Sequence, residues 1–388
     1  MSAKVFSRKL IPTASLSKGV RGPSLSIPIQ QPHQTLPAAK NPTFTFLSYN
    51  MLSPHYMWPQ VYTYVPQEYK DWKYRHNLLE KEILDKYRSD IMCVQELTTI
   101  DYYSFWRDSL RKGFNYGSRF IAKNPPNYWT KSLVEMDGVG IFYNLDMFDY
   151  IGSRSINLND LASTFDRKEL DYMAAKEITI LNGNGDVTGK ESLYELALSK
   201  NQVCLFVMVE HKISKDVFVI INTHLYWKYE EVKLTQCMII MRKLAKIVNE
   251  LLFNAESRDM NYNKVKILFS GDLNDGFDSK IVQFLKGNKI EKSDGLKMRN
   301  PMASFLNHCC YDDLLNDRQK FFDNTCYSGK LKGIFDFVWY HDRDFKLKNI
   351  LSGIEITEEL NFLNQDGLPN RDHPSDHIPL LMEFEILP

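Results

Sequence analysis

The segment KILFSGDLN, at residues 266–274, is a short apolar run that ends in polar residues. The run predicts a buried β-strand, and Asp272 and Asn274 follow at its carboxyl end. Strand ends of this kind gather at one edge of a layered α/β sheet, which is where ligands bind in such folds. The segment therefore predicts a site at that edge, and any other strand that ends in the same way adds to it.

The same arrangement recurs along the chain. The other polar residues at or beside predicted strands are Asn50 in FLSYN, Glu96 in IMCVQE, Asn222 and His224 in VIINTH, Asp336 in IFDFVWYH, and Asp376 and His377 in HPSDHIPLL. Each of them taken alone is as readily explained as a turn residue, a helix cap or a structural histidine. Their joint occurrence in this order is much less expected by chance, and it favours a functional site.

From Thr43 onward, strand-like runs alternate with helical patterns, which predicts an α/β layered domain over residues 43–388. The predicted strands are 44–49, 91–95, 138–143, 203–210, 217–223, 264–270, 335–340 and 380–386, and the predicted helices are 68–87, 102–112, 231–253 and 279–285. Residues 144–200 contain the turn cluster Asn182-Gly-Asn-Gly185 and are interpreted as an elaboration on this core, not as a second domain.

Charge and cysteine usage narrow the class of protein. The chain has 48 Lys+Arg and 48 Asp+Glu, but residues 1–67 hold six basic residues and no acidic one, so the remainder is net negative. A generic basic nucleic-acid binder is therefore excluded, and a polyanion must be held by a local groove or by bound cations. The six cysteines are scattered, which indicates reduced core residues, and no apolar stretch is long enough for a membrane span.

The N-terminal segment, residues 1–42, is rich in Ser, Pro and Gln and has no acidic residue. We expect it to be disordered and to remain outside the fold. Its composition favours a mitochondrial targeting peptide followed by a linker, with Arg8 and Lys9 in a short amphipathic turn. The alternative is a disordered basic tail on a cytoplasmic protein.

The polar set fits phosphodiester cleavage by a divalent cation. Mg²⁺ prefers oxygen ligands and is held by one or two carboxylates beside a substrate phosphate. Glu96 is the first choice as ligand. Asp336 and Asp376 are both candidate partners for His377; we favour Asp336, which leaves Asp376 to serve the metal site.

The remaining polar residues are assigned to water and phosphate. Asp272 is predicted to deprotonate or align the attacking water, and Asn274, two residues on, orients it. Asn50 and Asn222 steady metal-bound water or phosphate oxygens without adding charge. His224 and His377 donate hydrogen bonds to phosphoryl oxygens as charge builds in the transition state.

Six segments in this order resemble the motifs of the endonuclease/exonuclease/phosphatase superfamily: FLSYNML (46–52), IMCVQEL (91–97), INTHLYW (221–227), SGDLND (270–275), FDFVWYH (335–341) and PSDH (374–377). The resemblance covers residues 43–387. It implies a four-layered αββα sandwich of the DNase-I-like type, with Mg²⁺, or Mn²⁺ as its substitute, as the cofactor. It also implies Glu96 as metal ligand and Asp336 with His377 as a charge-paired acid/base or transition-state stabiliser.

Within that superfamily the flanking sequence resembles the deadenylase branch, which includes nocturnin, angel and the yeast Ngl-type nucleases. The segments that carry this resemblance are YNMLSPHY (49–56), WKYR (72–75), DGVGIFYN (137–144), VKLTQ (232–236) and SKIVQFL (279–285). The branch implies a 3′-to-5′ exonuclease that acts on single-stranded RNA, including poly(A) tails, and releases 5′-nucleotides.

The chain departs from the branch around the terminal base. Tyr229 stands where a proline is expected and Leu331 where an aromatic is expected, so adenine preference is in doubt. Trp227, Tyr229 and Trp339 are candidates to stack on bases, although Trp339 fits the core equally well. No leucine-rich-repeat module precedes the catalytic domain, and the sequence does not identify a protein partner.

Other activities use the same chemistry. A phosphatase or 2′,5′-phosphodiesterase acting on a soluble nucleotide, such as NADP(H) or oligoadenylate, is the main alternative, and the net negative charge of residues 68–388 is compatible with it. A catalytically dead RNA-binding relative is disfavoured because Glu96, Asp272 and His377 are all present. Repair of abasic DNA is disfavoured by the sequence around the motifs.

Overall fold

Two mixed β-sheets form the centre of the molecule in the computed structural model, which describes residues 8–13, 41–258, 264–288, 290, 299–314, 321–329 and 331–388. The strands are β1 (Leu10–Pro12), β2 (Thr43–Asn50), β3 (Ile91–Thr98), β4 (Tyr116–Ala122), β5 (Asp137–Asn144), β6 (Phe148–Asn157), β7 (Glu177–Leu181), β8 (Val187–Ser192), β9 (Val203–His211), β10 (Val217–His224), β11 (Val265–Asp272), β12 (His308–Cys309), β13 (Cys326–Ser328), β14 (Leu331–Gly333), β15 (Asp336–Tyr340), β16 (Phe345–Leu351) and β17 (Leu380–Ile386). A seven-stranded sheet has the order β1-β16-β17-β2-β3-β5-β4, and a six-stranded sheet has the order β12-β15-β11-β10-β9-β6.

Helices cover both outer faces of the sheet pair. They are α1 (Gln67–Lys70), α2 (Trp72–Glu80), α3 (Thr99–Asp101), α4 (Arg107–Phe114), α5 (Arg167–Ala175), α6 (Leu193–Leu198), α7 (Glu230–Arg258), α8 (Lys280–Leu285) and α9 (Ile354–Leu363). Single π turns at Lys81–Lys86 and Tyr102–Trp106 continue α2 and precede α4.

The core is divided as a four-layered αββα sandwich requires. One large cluster packs apolar side chains of the two sheets against each other and against α7 and α8. A second cluster packs Leu79 and Ile83, from α2 and the turn after it, and Trp106 and Leu110 against the seven-stranded sheet. Because both faces of each sheet are covered, strands such as β3 and β10 are apolar along most of their length, as the sequence suggested. The predicted fold class is confirmed.

The predicted strands and helices all overlap observed ones, but several elements were missed. β4, β6 and β16 were not predicted, and the helix predicted over 68–87 is divided into α1, α2 and a π turn. The interpretation of residues 144–200 as elaboration is wrong in part, because β6 pairs with β9 and forms an edge of the six-stranded sheet. Of the elements within residues 144–200, β7, β8, α5 and α6 lie outside the two large sheets.

The prediction that residues 1–42 remain outside the fold is wrong for residues 8–13. Leu10–Pro12 form β1, which pairs antiparallel with β16 at the edge of the seven-stranded sheet. The Arg8 guanidinium donates to the carbonyls of Ser352 (2.7 Å) and Leu351 (3.2 Å), and the Thr13 hydroxyl donates to Leu347 (2.6 Å). The edge of β16 supplies open backbone groups, so a short extended segment is stabilised there without helical periodicity. The rest of the prediction, for residues 1–7 and 14–40, lies outside the described residues.

The sequence also predicted that no segment spans a membrane and that the cysteines are reduced core residues. Within the described residues, no helix combines the length and the hydropathy that crossing a bilayer demands. All six cysteines are free thiols and buried, as expected for core residues.

Candidate active site

Asp272 is the centre of the site because of strand register. It is the last residue of β11, where it pairs with His224 of the parallel strand β10 and with Asp336 of the antiparallel strand β15. Its carboxylate is 1% exposed and accepts hydrogen bonds from the Asn50 side-chain amide (3.0 Å) and from the Asn274 backbone N–H (2.8 Å). Three strands of one sheet and the end of β2 in the other therefore converge on one carboxylate.

Glu96 lies beside Asp272 at an irregularity in β3. The register of β3 with β5 shifts between Gln95 and Leu97, and Glu96 has a φ of 57°, a left-handed conformation that is strained for a residue with a Cβ. The carboxylate accepts hydrogen bonds from the Asn50 amide (2.9 Å) and the Ser53 backbone N–H (2.8 Å). The bulge turns this side chain toward Asn50, so that Asn50 bridges Glu96 and Asp272.

His377 pairs with Asp336, as predicted. Its Nδ1 lies 2.8 Å from Asp336 Oδ2, and its Nε2 lies 3.5 Å from Asp272 Oδ2. Burial acts to lower the pKa of His377, but the adjacent Cys326, Asp336 and Asp272 outweigh it and raise that pKa well above its ordinary value. The carboxylates on either side of His377 therefore favour its protonated form.

His224 is held in the opposite protonation state. Its Nε2 lies 2.9 Å from the side-chain amide nitrogen of Asn274, which can only donate, so the imidazole carries its proton on Nδ1. Burial, together with the positive charges of Lys123 and His377, lowers the pKa of His224 well below its ordinary value. The buried Nδ1 has no hydrogen-bond partner among the described residues and lies 3.8 Å from Glu96 Oε1. A neutral donor is therefore directed toward the carboxylate of Glu96.

The surroundings of Glu96 and Asp272 disfavour the charged forms of both carboxylates. Burial, followed by repulsion from Asp137 and Asp376, raises the pKa of Glu96 to about 8. Burial likewise raises the pKa of Asp272 to about 6, although His377 opposes the effect. Both residues are oxygen donors in contact with neutral hydrogen-bond donors, so a divalent cation that prefers oxygen ligands fits this donor set.

Three residues near Glu96 were not predicted as part of the site. Lys123 forms a buried ion pair with Asp137 (2.6 Å), and the Tyr56 hydroxyl donates to the same aspartate (3.0 Å). Lys123 acts on the pKa of both Glu96 and His224, which places its charge at the site. Asp137 begins DGVGIFYN, a segment that the family resemblance had marked, so a signal was present without a role attached.

Arg75 is a further residue whose position was marked but not interpreted. It belongs to the WKYR segment in α2 and is 1% exposed. One guanidinium nitrogen donates to the carbonyls of Leu52 (2.7 Å) and Pro374 (3.0 Å). Arg75 therefore ties the loop after β2, which carries Ser53, to the loop that carries His377.

Asp376, the second predicted metal ligand, lies in a neighbouring cluster. Its Oδ2 accepts a hydrogen bond from the Tyr62 hydroxyl (2.8 Å) and lies 4.0 Å from the Cys326 thiol. It bonds to neither Asn50 nor Asp272 among the described residues. Asp336, not Asp376, contacts His377 in an ion pair, which agrees with the partner favoured from the sequence.

Asn222 has a position that contradicts its predicted role at the phosphate. Its amide nitrogen donates to the carbonyls of Val94 (2.9 Å) and Gly140 (2.9 Å), and its oxygen accepts from Gln95 (2.7 Å). The side chain is 0% exposed and both of its amide hydrogens are engaged with protein. Asn222 therefore connects the two sheets beneath the site and does not reach the substrate side.

The residues predicted to contact a base differ in their exposure to solvent. Trp227 is 54% exposed on the loop after β10, and Leu331 is 50% exposed at the start of β14. Tyr229 is half-buried against the core, and its hydroxyl accepts from the Leu181 N–H (3.1 Å), so its predicted contact with a base is not supported. Trp339 is fully buried beside Phe337, and its stacking role is wrong.

Known proteins of similar sequence identify the family to which this chain belongs. No family model matches the chain. Among curated proteins, the chain is similar to the RNA exonuclease NGL1 of Saccharomyces cerevisiae, at 56% identity over 348 residues that cover 90% of this chain and 94% of that protein. The chain belongs to the endonuclease/exonuclease/phosphatase superfamily.

Other members of the superfamily are more distant. The CCR4-Not complex 3′-5′-exoribonuclease subunit Ccr4 of Kluyveromyces lactis is 26% identical over 356 residues, and the chain spans only 41% of its length. The structure of ANGEL2, a 2′,3′-cyclic phosphatase, superimposes with a TM-score of 0.62 at 17% identity over 99% of both chains. The human Nocturnin catalytic domain gives 0.56 at 18% identity, covering 90% of this chain and 95% of that one. These two likenesses show the shared superfamily fold.

Proposed function

We propose that this protein is a 3′-to-5′ exonuclease that hydrolyses single-stranded RNA to 5′-nucleotides. The observation that carries the proposal is the convergence of Glu96, Asp272 and the Asp336–His377 pair on one buried point, where the Asn50 amide donates to both Glu96 and Asp272. RNA is favoured as substrate because the 56% identical relative NGL1 is an RNA exonuclease.

We assign Mg²⁺ as the cofactor, with Mn²⁺ as its substitute, and Glu96 as its ligand. When bound, the cation polarises the phosphate and offsets the negative charge of the carboxylates. Asn50 supports the assignment because it donates to both Glu96 and Asp272 without adding charge. Asp376 is not included in this set, since its cluster is a separate one.

The chain's own groups divide the proton and charge work of hydrolysis. Asp272 accepts the proton of the attacking water, and the Asn274 N–H fixes the orientation of its carboxylate. His377, kept protonated by Asp336, donates to a phosphoryl oxygen as negative charge increases in the transition state. The Nε2 of His224 accepts a hydrogen bond from the Asn274 side-chain amide, so its Nδ1 proton is available for donation.

A group of lysines and aromatic rings borders the loop that follows His224; we call it the lysine–aromatic rim, and it consists of Lys200, Tyr226, Trp227 and Lys228. Lys200 Nζ lies 5.0 Å from the Tyr226 ring centre, and Lys228 Nζ lies 5.7 Å from that of Trp227. Burial and the charge of Lys228 lower the pKa of Lys200, although Glu191 opposes this. Cations beside the half-buried ring of Tyr226 and the exposed ring of Trp227 suit a single strand, whose phosphates and bases alternate.

The experiment uses 5′-labelled RNAs with an A₂₀ tail or a mixed-sequence tail, incubated in Mg²⁺ with the protein or with Asp272→Asn. A ladder that shortens from the 3′ end only with the unaltered protein is the expected result, and the ratio of the two rates measures adenine preference. Intact RNA in every lane would reject the proposal. Phosphorylated dinucleotides in the same buffer then test phosphatase activity.

We also propose mitochondrial delivery by the basic N-terminal segment. The support is its composition, in which six basic residues precede the first acidic residue, Glu68. A reporter fused to residues 1–42 should accumulate in mitochondria, and a diffuse cytoplasmic signal would contradict the proposal. Substituting Arg8, Lys9, Lys18 and Arg21 with Gln is the matched control.

A further inference from the structure

A second group of ligating side chains adjoins the catalytic histidine. Cys326 Sγ, a carboxylate oxygen of Asp376 and a ring nitrogen of His377 all lie within 4.8 Å of one another, and all three residues are buried. Cys326 lies in β13, and an isolated antiparallel bridge connects it to His377, so the backbone holds the two residues side by side. Among the described residues, this cluster contains a sulfur donor, which the groups around Glu96 and Asp272 do not.

Asp376 has an oxygen that the protein leaves unsatisfied. Its Oδ2 accepts from Tyr62 (2.8 Å), but its Oδ1 is buried and has no hydrogen-bond partner among the described residues. A buried carboxylate oxygen without a donor costs free energy, and such groups commonly face a ligand. This observation is independent of the thiol and of the histidine, and it points to a cation.

We infer that Cys326, Asp376 and His377 form a binding site for a thiophilic divalent cation such as Zn²⁺. A thiolate, an imidazole and a carboxylate together select Zn²⁺ over Mg²⁺, which prefers oxygen ligands alone. The Sγ to Oδ2 distance is 4.0 Å. Ligand atoms around tetrahedral Zn²⁺ lie about 3.3–3.8 Å apart, given bond lengths of about 2.0–2.3 Å, so only a small rearrangement is needed.

Occupation of this site inhibits the reaction. A histidine nitrogen that coordinates a cation is unprotonated, so His377 then loses either its bond to Asp336 or its donor toward the phosphate. Coordination also releases the thiol proton of Cys326, because only the thiolate is a strong ligand. Inhibition rests on the proposed function, whereas binding itself does not.

Binding is tested with Co²⁺ as an optical probe for Zn²⁺. The metal-free full-length protein, kept reduced, should show a near-ultraviolet thiolate-to-cobalt charge-transfer band that saturates at one equivalent and disappears when Zn²⁺ is added. Cys326→Ser should abolish the band, and Cys237→Ser, a buried thiol in α7, should retain it. No band in the unaltered protein, or an undiminished band in Cys326→Ser, would overturn the inference. Thermal melting identifies a misfolded variant, for which Cys326→Ala replaces Cys326→Ser.

Inhibition is tested with RNA at constant excess Mg²⁺ and increasing Zn²⁺, each variant being normalised to its own rate without Zn²⁺. The Zn²⁺ concentration for half-inhibition should rise at least about tenfold in Cys326→Ser and stay constant in Cys237→Ser. Equal inhibition of all three proteins would mean that Zn²⁺ acts only by replacing Mg²⁺ at Glu96, which contradicts the inference. If no protein degrades RNA, the proposed function fails while the cobalt band still decides the binding site.

Discussion

Glu96 occupies a backbone conformation that few residues with a Cβ adopt, with a φ of 57° at a β-bulge, and its carboxylate is buried. Such strain is retained where the surrounding contacts require it, and here the Asn50 amide and the Ser53 N–H fix the side chain. Asn274 and Leu52 also have positive φ values, of 52° and 51°. Three of the six non-glycine residues with positive φ in the described part of the chain therefore lie at the site, and the other three, Asn115, Lys215 and Asn364, lie elsewhere.

Glu96→Gln should fold but lose turnover. The amide keeps the size of the side chain and one oxygen acceptor, whereas the lost anion removes the cation and several kcal/mol of transition-state stabilisation, so kcat should fall by about 10³-fold or more. Mg²⁺ should raise the melting temperature of the unaltered protein and not that of the variant, because only a folded state that binds the ion is stabilised by it. Glu135→Gln is the matched control; equal Mg²⁺ responses in both variants would contradict the ligand assignment.

The buried carboxylates predict an inverse pH dependence of stability in the metal-free protein. Folding raises the pKa of Glu96 to about 8 and that of Asp272 to about 6. Between the unfolded and folded pKa values the folded form binds more protons, so its free energy of unfolding falls as pH rises. In EDTA, the melting temperature should therefore fall from about pH 5 to about pH 8. Mg²⁺ should restore stability most at the higher pH. A flat profile, or one that Glu96→Gln leaves unchanged, would contradict this.

Asp336→Asn tests the charge pair at His377. Loss of the carboxylate that lies 2.8 Å from Nδ1 lowers the pKa of His377, so less of the imidazole is protonated at neutral pH. We expect kcat to fall by about 10²–10⁴-fold and its alkaline decline to move to lower pH. Asp342→Asn, at an aspartate in the turn after β15, is the control. An unshifted pH profile of kcat in Asp336→Asn would mean that His377 does not act as a protonated donor.

The sequence predicted which polar residues collect at one edge of the sheets. It did not predict which of their atoms remain free to contact a substrate or a metal. Register at a strand end explains the success for Asp272, His224 and Asp336, since consecutive strands bring their last or first residues together. Asn222 and Tyr229 were misassigned because their polar atoms are consumed by protein groups distant in sequence. Periodicity carries no information about such contacts.

Among the structural elements, β1 is the least expected, because three residues in an otherwise low-complexity segment form the edge of a sheet. Pairing with β16 requires only extended backbone and unpaired partners, which leave no periodic signature. By contrast, β2, β3, β10 and β11 were predicted correctly because both faces of each strand are buried, which gives continuous apolar runs.

Deleting residues 1–13 should lower stability without changing chemistry. The deletion removes the ladder to β16 and the Arg8 and Thr13 contacts, a loss on the order of 2 kcal/mol. β16 and β17 separate β1 from β2, which carries Asn50, so kcat on a short RNA should remain within about twofold. Deletion of residues 1–7 alone is the control. Equal melting temperatures for the two deletions would contradict a structural role of β1.

For the whole molecule, the charge distribution decides how RNA is held. Residues 68–388 carry more acidic than basic groups, so long-range attraction is weak and binding must depend on a few local contacts. Within the described residues, the lysine–aromatic rim supplies two cations without a carboxylate in ion-pair contact, and three of its members, Tyr226, Trp227 and Lys228, follow closely after His224 in the chain. We propose that the rim begins a short RNA-binding track toward Glu96 and Asp272.

The salt dependence of RNA binding tests whether the lysines of the rim contact RNA phosphates. Each phosphate neutralised on a single strand contributes about −0.7 to the slope of log K against log salt concentration, so Lys200→Ala and Lys228→Ala should each reduce the slope by about 0.7. Affinities are measured with fluorescent single-stranded RNA in an Asp272→Asn background, which prevents degradation. Lys112→Ala, which removes a lysine paired with Asp108 on α4, is the matched control. If all three lysine variants keep the slope of their Asp272→Asn parent, the RNA does not follow the rim, and its phosphates must be neutralised by other cations.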